Sequence, residues 1–195
     1  MSGKGTVIEA ILAHSRATKV GNFKHVMMSD ALKALWPTRP DVKHDMDEGN
    51  LVDDGTTVAT YRQLWFNDLD HTGNTNMLPD GVTRTLWQVR SALELASDGG
   101  YRSVQFVIDA PEEVVKTRRE KRLREQHRTD DRPHVFLNRL RVFREHTQPA
   151  IELMANIGVP TYTIDGACNP EEVFRQVHNV IRSLDLVTAW TLPQG

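Results

Sequence analysis

The stretch SGKGTVIEAILAHS, residues 2–15, decides how the rest of the chain is interpreted. Apolar residues recur within it at helical spacing, at Val7, Ile8, Ile11 and Leu12. They predict an amphipathic helix from Thr6 to about Ser15. Glycines before a helix let backbone amides turn inward, the helix N-terminus carries partial positive charge, and a lysine there can reach phosphate oxygens. Ser2 to Thr6 thus indicates the end of a phosphate-binding loop, with a chance cluster of glycine and lysine as the alternative.

Short apolar runs alternate with helical patterns along the remainder of the chain. Strands are predicted at Phe23 to Met27, Asn76 to Leu78, Val104 to Ile108 and Pro160 to Ile164. Helices are predicted from a cap at Ser29 and Asp30 to Leu35, from Asp53 and Asp54 past Trp65, from Leu86 past Leu95, from Pro111 to Arg124, from the turn at Asp130 to Pro133 as far as Asn156, and from Pro170 to Leu184. Thr38 to Gly49 is a polar stretch marked by proline. This alternation predicts an α/β fold, in which a parallel sheet is covered on both faces and ligands bind at the carboxyl ends of its strands.

Length and composition fit one compact domain, residues 1–195. The formal net charge of −2 at pH 7 gives no global attraction to a polyanion, so a nucleic-acid partner would need a local basic patch. The lone Cys168 cannot form an internal disulfide, and no apolar run reaches the roughly 20 residues of a membrane span. We therefore expect a cytoplasmic protein with no membrane partner.

A second group of polar residues follows the short strand that is predicted to end at Leu78. Its members are Asp80, Gly81, Arg84, Thr85 and Gln88. A carboxylate at a strand end can hold the water shell of Mg²⁺, an arginine can fork onto a phosphate, and a glutamine amide can read a base edge. The spacing places Asp80, Arg84 and Gln88 on one helical face. The alternative is a capped surface helix, since Asp followed by Gly is common in turns.

Basic residues crowd the next helix and the turn after it. They are Arg118, Arg119, Lys121, Arg122, Arg124, Arg128 and Arg139, with Asp130 and Asp131 in the turn. Arg118 and Arg122 are one helical turn apart and repel each other, an arrangement that an anionic ligand would stabilise. The alternatives are a solvated face helped by Glu120 and Glu125, or a patch for nucleic acid, which here lacks interleaved aromatic residues to stack bases.

Taken together, these groups resemble the adenylate kinase family from Ser2 to about Leu184. Ser2 to Thr6 matches the end of that family's phosphate-binding loop, in which Gly follows the Lys. The second group matches its stretch of Asp, Gly, aromatic residue, Pro, Arg, Thr, two variable residues and Gln. The turn Arg128, Thr129, Asp130, Asp131 matches its Arg, variable, Asp, Asp, and Arg139 stands where its last catalytic arginine is found. The pattern is completed by Thr147, Gln148 and Pro149, then by Asp165 and Gly166.

The resemblance implies a P-loop three-layer αβα fold with a monophosphate-binding region at about 28–70, a short lid at about 118–139 and a tail at 185–195. It implies reversible, Mg²⁺-dependent phosphoryl transfer from ATP to AMP, giving two ADP; we expect a monomer. The catalytic residues would be Lys4, Arg84, Arg118, Arg122, Arg128 and Arg139. ATP would be bound by Gly3, Lys4, Gly5, Thr6, Arg118 and Gly166, and AMP by Lys33, Leu51, Val52, Gly81, Arg84 and Gln88. Asp80 would order the magnesium shell through water, and a lid this short needs no zinc.

The chain also departs from the family pattern. Met27 to Lys33 stands where the family has Ser, Thr, Gly, Asp, Leu, Leu, Arg, so Lys33 replaces a forked arginine and should grip phosphate less well. Thr83 replaces a proline, and Pro79 precedes Asp80. Relatives carry a buried central strand and a glycine-rich turn before the position of Met1. We therefore expect an upstream segment beyond the printed sequence, lost through a truncated gene product or a misplaced start.

Three functions are compatible with the sequence. The first is a nucleoside monophosphate kinase that prefers AMP over UMP or CMP, because Thr85 and Gln88 follow the adenylate pattern. The second is an adenylate-kinase-like protein without turnover, which binds nucleotide weakly or serves as an interaction module; the changes from Met27 to Lys33 favour it. The third is a basic-helix nucleic-acid binder, whose binding would depend steeply on salt.

Overall fold

The computed structural model describes residues 3–18, 22–68, 75–126 and 132–184. The strands are β1 Asn22–Met27, β2 Thr75–Asp80, β3 Gln105–Asp109 and β4 Thr161–Asp165. The helices are α1 Lys4–Thr18, α2 Met28–Lys33, α3 Pro40–Glu48, α4 Asp54–Asp68, α5 Leu86–Asp98, α6 Glu112–Gln126, α7 Pro133–Val142, α8 Gln148–Asn156 and α9 Pro170–Ser183, with a π-helical turn at Phe143–Thr147 between α7 and α8. The predicted α/β alternation is confirmed.

The strands pair in parallel, as the sequence predicted. β1 lies beside β2 with Asn22 opposite Thr75 and Met27 opposite Asp80. β3 lies beside β4 with Gln105 opposite Thr161. Within the described ranges these are two separate two-stranded sheets rather than one continuous ladder. Parallel pairing aligns the carboxyl ends within each sheet, so the strand-end residues that the sequence singled out lie at these edges.

Helices cover both faces of the sheets. Phe23, Leu78, Ile108 and Ile164, one from each described strand, pack in a core cluster with α1 and α9. Neighbouring strand positions face the other way, because successive side chains alternate across a strand. Accordingly, Met77 packs in a second cluster with α2, α4 and α5, and the Gln105 amide donates to the sulfur of Met154 on α8 at 3.3 Å. The sheets are therefore the middle layer of an αβα arrangement, as the family resemblance implied.

Several predicted element boundaries were wrong. α1 begins at Lys4 instead of Thr6, so Lys4, Gly5 and Thr6 lie in its first turn. α2 begins at Met28 without a side-chain cap, although Ser29 and Asp30 were expected to provide one. The polar stretch from Thr38 to Gly49, for which no helix was predicted, contains α3. Pro40 starts this helix with its fixed φ, and Gly49 ends it in the left-handed region at φ 77°.

The long helix predicted up to Asn156 is divided into α7, the π-helical turn and α8. Pro149 in the first turn of α8 has no N–H to donate, which favours a new helical start at this point. The core of the predicted lid, including Arg128, Asp130 and Asp131, and the tail at 185–195 lie outside the described residues. No helix in the four described ranges is both long enough and apolar enough for a membrane crossing.

Candidate functional site

The site is centred on Asp80, the last residue of β2. Its Oδ1 lies 4.0 Å from Nζ of Lys4 in the first turn of α1. Its Oδ2 lies 3.9 Å from Nε2 of His25, a half-buried residue of the neighbouring strand β1. The Asp80 side chain is 19% exposed. The strand end thus presents a solvent-accessible carboxylate with a lysine ammonium beside it.

Arg84 lies in the loop between β2 and α5 and folds back over Gly81. A Cβ on Gly81 would stand 3.0 Å from Nη2 of Arg84, and the backbone of this glycine has φ +78°. The left-handed backbone favours glycine here, and a side chain at this position would also crowd the guanidinium. Because α5 begins at Leu86, the predicted common helical face of Asp80, Arg84 and Gln88 was wrong. The turn at Gly81, rather than helical spacing, brings Arg84 back toward the strand end.

Arg139 reaches the same region from α7. Its stem passes the end of α3 so closely that a Cβ on Gly49 would lie 2.9 Å from Cγ of Arg139. Besides desolvation, which is the largest cause, the charge of Arg139 lowers the pKa of Arg84, and the charge of Arg84 lowers the pKa of Lys4. The Asp80 carboxylate acts in the opposite direction on both pKa values, which remain lowered. Arg84 is thus the group that links Arg139 electrostatically to Lys4 and Asp80.

The largest cause of the lowered pKa of Lys4 and of Arg84 is desolvation by surrounding protein. Both residues are nevertheless exposed to solvent, with half of the Lys4 side-chain surface accessible. A group that is surrounded by protein and still reached by water lines a concave surface. The lysine and arginine cations gathered there suit a polyanionic ligand such as a chain of phosphates.

The start of α1 adds neutral donors to this cleft. Val7 N–H donates to the carbonyl of Gly3 at 3.2 Å, so the N–H groups of Lys4, Gly5 and Thr6 precede the first intrahelical bond. Such a helix N-terminus attracts anions. A Cβ on Gly3 or on Gly5 would meet nothing within 4 Å. Among the residues that the structure describes, the space over these two glycines is therefore open, as a phosphate-binding turn requires.

Arg118 and Gly166 meet at the end of the second sheet. The Arg118 guanidinium donates to the carbonyls of Gly166 at 2.6 Å and of Cys168 at 3.1 Å. A Cβ on Gly166 would lie 2.7 Å from the carbonyl oxygen of Asp109 and 2.9 Å from Cγ2 of Ile108. The structure therefore joins these two predicted ATP-binding residues to each other, and only a glycine fits between the ends of β3 and β4.

Gln88 is buried in the first turns of α5. Its Nε2 donates to Oδ1 of Asp54 at 2.9 Å, and its Oε1 accepts from the backbone N–H of Arg84 at 2.9 Å. The side chain is 3% exposed. The predicted base-reading amide thus already bonds within the chain, and a base can reach it only after what covers it has moved.

The other predicted AMP contacts are more dispersed. Lys33 forms an ion pair with Asp30 of its own helix, with Nζ to Oδ1 at 3.2 Å. Leu51 is half-buried, whereas Val52 is buried in the core beside α4 and accepts from the Thr57 hydroxyl through its carbonyl at 3.3 Å. The backbone of Arg122 lies on α6, but its side chain is outside the described part of the structure, as is all of Arg128.

The residues around Asp80 fit a magnesium ion that is carried mainly by its nucleotide. Within the described ranges, no three His, Cys, Asp or Glu side chains cluster to form a metal cage. Mg²⁺ typically keeps several waters and binds through one or two carboxylates together with substrate phosphates. Asp80 is such a carboxylate, accessible to water at the edge of the cationic cleft. The donor set is therefore suited to magnesium bound through water.

The sequence reasoning missed two residues of the site, His25 and Asp54. His25 is near the end of β1, and the parallel register with β2 brings it to Asp80. A strand-end position was its only sequence signal. Asp54 was interpreted as part of a helix start, whereas its carboxylate also bonds to Thr85 and Gln88 across 31 and 34 residues of chain. Its contacts depend on tertiary packing, which no local pattern encodes.

Comparison with known proteins identifies the family of this chain. A family model described as an AAA domain matches residues 2–136. An adenylate kinase of Synechococcus sp. is 31% identical over 154 residues, which cover 77% of this chain and 76% of the relative. An adenylate kinase of Thermus thermophilus is 29% identical over 181 residues, 90% of this chain and 89% of the relative. One of Thermobifida fusca is 32% identical over 141 residues, 71% of each chain. The chain therefore belongs to the adenylate kinase family of phosphotransferases.

Proposed function

We propose that this protein transfers the γ-phosphoryl group of ATP to AMP, reversibly and with Mg²⁺, giving two molecules of ADP. The observation that carries the proposal is the convergence of Lys4, Arg84 and Arg139 beside Asp80. Phosphoryl transfer needs little covalent help from a protein; it needs cations placed around the oxygens that gather charge. Relatives over most of the chain are named adenylate kinases, which supports the same reaction.

Each part of the cleft has a role in this proposal. The N–H groups at the start of α1 and the Lys4 ammonium bind the phosphates of ATP. Arg84, supported on Gly81, forks onto the AMP phosphate, and Arg139 faces it from α7. Mg²⁺, when bound, neutralises phosphate charge, with Asp80 ordering its water shell. Arg118 and Gly166 form the wall near the ATP base.

The lid and the base-specific contacts complete the proposal. Arg122 and Arg128 would close over the phosphates as a short lid forms at about 118–139, and exclusion of water would limit ATP hydrolysis. Lys33, Leu51, Val52 and Gln88 would contact AMP once the insertion at about 28–70 has opened to admit it. We further propose that the protein works as a cytoplasmic monomer, which the lone Cys168 permits because no disulfide is required.

A coupled assay of ADP formation tests the proposal. The chain is mixed with ATP, Mg²⁺ and one monophosphate at a time, AMP, UMP or CMP, and the ADP yield is measured. AMP is expected to give the highest kcat/KM and two ADP per AMP consumed. Lys4→Met should remove most activity, whereas Lys116→Met, which disrupts only exposed pairs with Glu112 and Glu113, should not. Lack of turnover with every monophosphate would contradict the proposal.

A second candidate is a family member that binds nucleotide without turnover. Two observations favour it: Lys33 is paired with Asp30, and the Gln88 amide is buried and bonded internally. Calorimetric titration with ATP and with AMP, run beside the assay, separates the candidates. Binding of ATP without ADP formation would select this second function, and a preference for UMP or CMP in the assay would select a kinase for another monophosphate.

A further inference from the structure

Asp54, the first residue of α4, joins three groups of the loop between β2 and α5. Its Oδ1 accepts from the Thr85 hydroxyl at 2.8 Å and from Nε2 of Gln88 at 2.9 Å. Thr85 in turn accepts from the backbone N–H of Gln88 at 3.2 Å and so caps α5. On the other side of the amide, Arg84 N–H donates to Oε1 of Gln88 at 2.9 Å. The amide is thus held from both of its ends.

This network fixes which way the Gln88 amide faces. A carboxylate only accepts hydrogen bonds and a backbone N–H only donates, so Nε2 must face Asp54 and Oε1 must face Arg84. A reversed amide would oppose oxygen to oxygen and N–H to N–H. Because the side chain is 3% exposed, water cannot repair the reversed arrangement. Without Asp54, only the Arg84 N–H would still favour the observed orientation.

We propose that Asp54 is a positioning residue that sets the base specificity of the monophosphate site by orienting Gln88. This rests on the proposed function. With one bond made at each amide atom, Gln88 keeps one N–H and one oxygen lone pair for a base. Adenine offers the matching pair, an acceptor at N1 and an amino donor at N6. Cytosine offers the same order at N3 and N4, whereas uracil and guanine present a carbonyl acceptor beside a ring N–H donor.

The proposal therefore separates the bases by hydrogen-bond order rather than by size. The observed amide orientation matches adenine and cytosine, and the reversed orientation matches uracil and guanine. Removal of Asp54 lets the amide reverse when a base of the second kind binds. Discrimination against UMP and GMP should then weaken, while discrimination against CMP, which depends on size, should remain. General loosening of the pocket would instead weaken all three.

The test compares kcat and KM for AMP, CMP, UMP and GMP in the unmodified protein and in Asp54→Ala. The kcat/KM ratios of AMP to UMP and of AMP to GMP are expected to fall about 10-fold, mainly through KM of the monophosphate. The AMP to CMP ratio should change less than about 2-fold. Asp54→Asn keeps an acceptor oxygen toward Thr85 and Gln88 and should rescue the ratios. Asp53→Asn is the matched control, since Asp53 instead accepts from Thr56 N–H at 2.8 Å.

The proposal would be overturned if Asp54→Ala left the kcat/KM ratios of AMP to CMP, UMP and GMP unchanged, or if all three ratios fell together. Should Asp54→Ala fail to fold, Thr85→Val removes the hydroxyl that anchors Asp54 and should shift the same two ratios to a smaller degree. Calorimetric affinities for the four monophosphates report the same specificity without turnover. Absence of ADP formation thus contradicts the proposed function, whereas unchanged affinity ratios contradict the role of Asp54.

Discussion

The arginine at the end of the first sheet and the arginine at the end of the second sheet have different surroundings. At the end of the first sheet, Arg84 lies near Lys4, Arg139 and the carboxylate of Asp80. At the end of the second sheet, the Arg118 guanidinium is held by the backbone carbonyls of Gly166 and Cys168. The first site gathers cations that a phosphate ligand can contact, whereas in the second the arginine holds the backbone of a turn in place. Substitutions in the first should therefore affect chemistry more than stability, and those in the second should affect stability as well.

Replacement of Arg84 should give the largest effect on activity. Arg84→Lys keeps the charge but loses the forked donors, and we expect kcat to fall about 100-fold to 1,000-fold. The melting temperature should hardly change, since Arg84 is exposed to solvent. Arg144→Lys is the control, because Arg144 pairs with Glu112 on an exposed surface. Equal losses of activity in the two variants would remove the distinction between the sites.

Acid should weaken the helical layer beneath the second sheet through His178. This side chain of α9 is fully buried, and burial, with the nearby charges of His14 and Arg182, lowers its pKa from 6.5 to about 4. The unfolded chain binds a proton at this histidine more readily than the folded chain does. The stability that depends on neutral His178 is therefore complete above about pH 6.5 and is lost as the pH falls toward 4. The loss amounts to about 3 kcal/mol at most.

Urea unfolding at several pH values between 7.5 and 4.5 measures this effect. His178→Phe keeps a ring beside His14 and Phe174 but cannot titrate, so its stability should fall less steeply with acid. Parallel curves for the two proteins would show that His178 is not the group responsible.

Gly166→Ala should destabilise the second site by about 2 kcal/mol. The added methyl group would meet backbone oxygen at 2.7 Å, which a side-chain movement cannot relieve. Gly5→Ala is the matched substitution in the first site, where a Cβ meets nothing within 4 Å and the residue is helical. It should be neutral or slightly stabilising. Equal midpoints of chemical denaturation for Gly166→Ala and Gly5→Ala would contradict this difference between the two sites.

Local patterns predicted much of the fold. Amphipathic spacing identified α1, α5 and α9, and apolar runs identified the four described strands. The pattern failed for α3, whose apolar face is short: Val42 is its one fully buried residue, and Met46 one turn later packs against the same core. Pro40 at its start and Gly49 after its end were usable signals. Pairing of the strands into two ladders depends on distant contacts and could not be read from periodicity.

At the site, the sequence predicted which residues take part better than it predicted how their side chains are placed relative to one another. The motif around Asp80 and Arg84 was recognisable because strand ends and turns have local signatures. The turn at Gly81, the contact of Arg139 with Gly49 and the Asp54 network all require packing between elements far apart in the chain. The roles of Lys33 and Gln88 stay predictions, since both side chains bond within the chain here.

A double-mutant cycle of Arg84→Lys and Arg139→Lys on kcat/KM tests most directly whether these cations act on one phosphoryl group. If both contact the same charge in the transition state, losing one changes the value of the other, and the cycle should give an interaction energy of about 1–2 kcal/mol. Strict additivity, with each substitution costing the same in either background, would contradict the account.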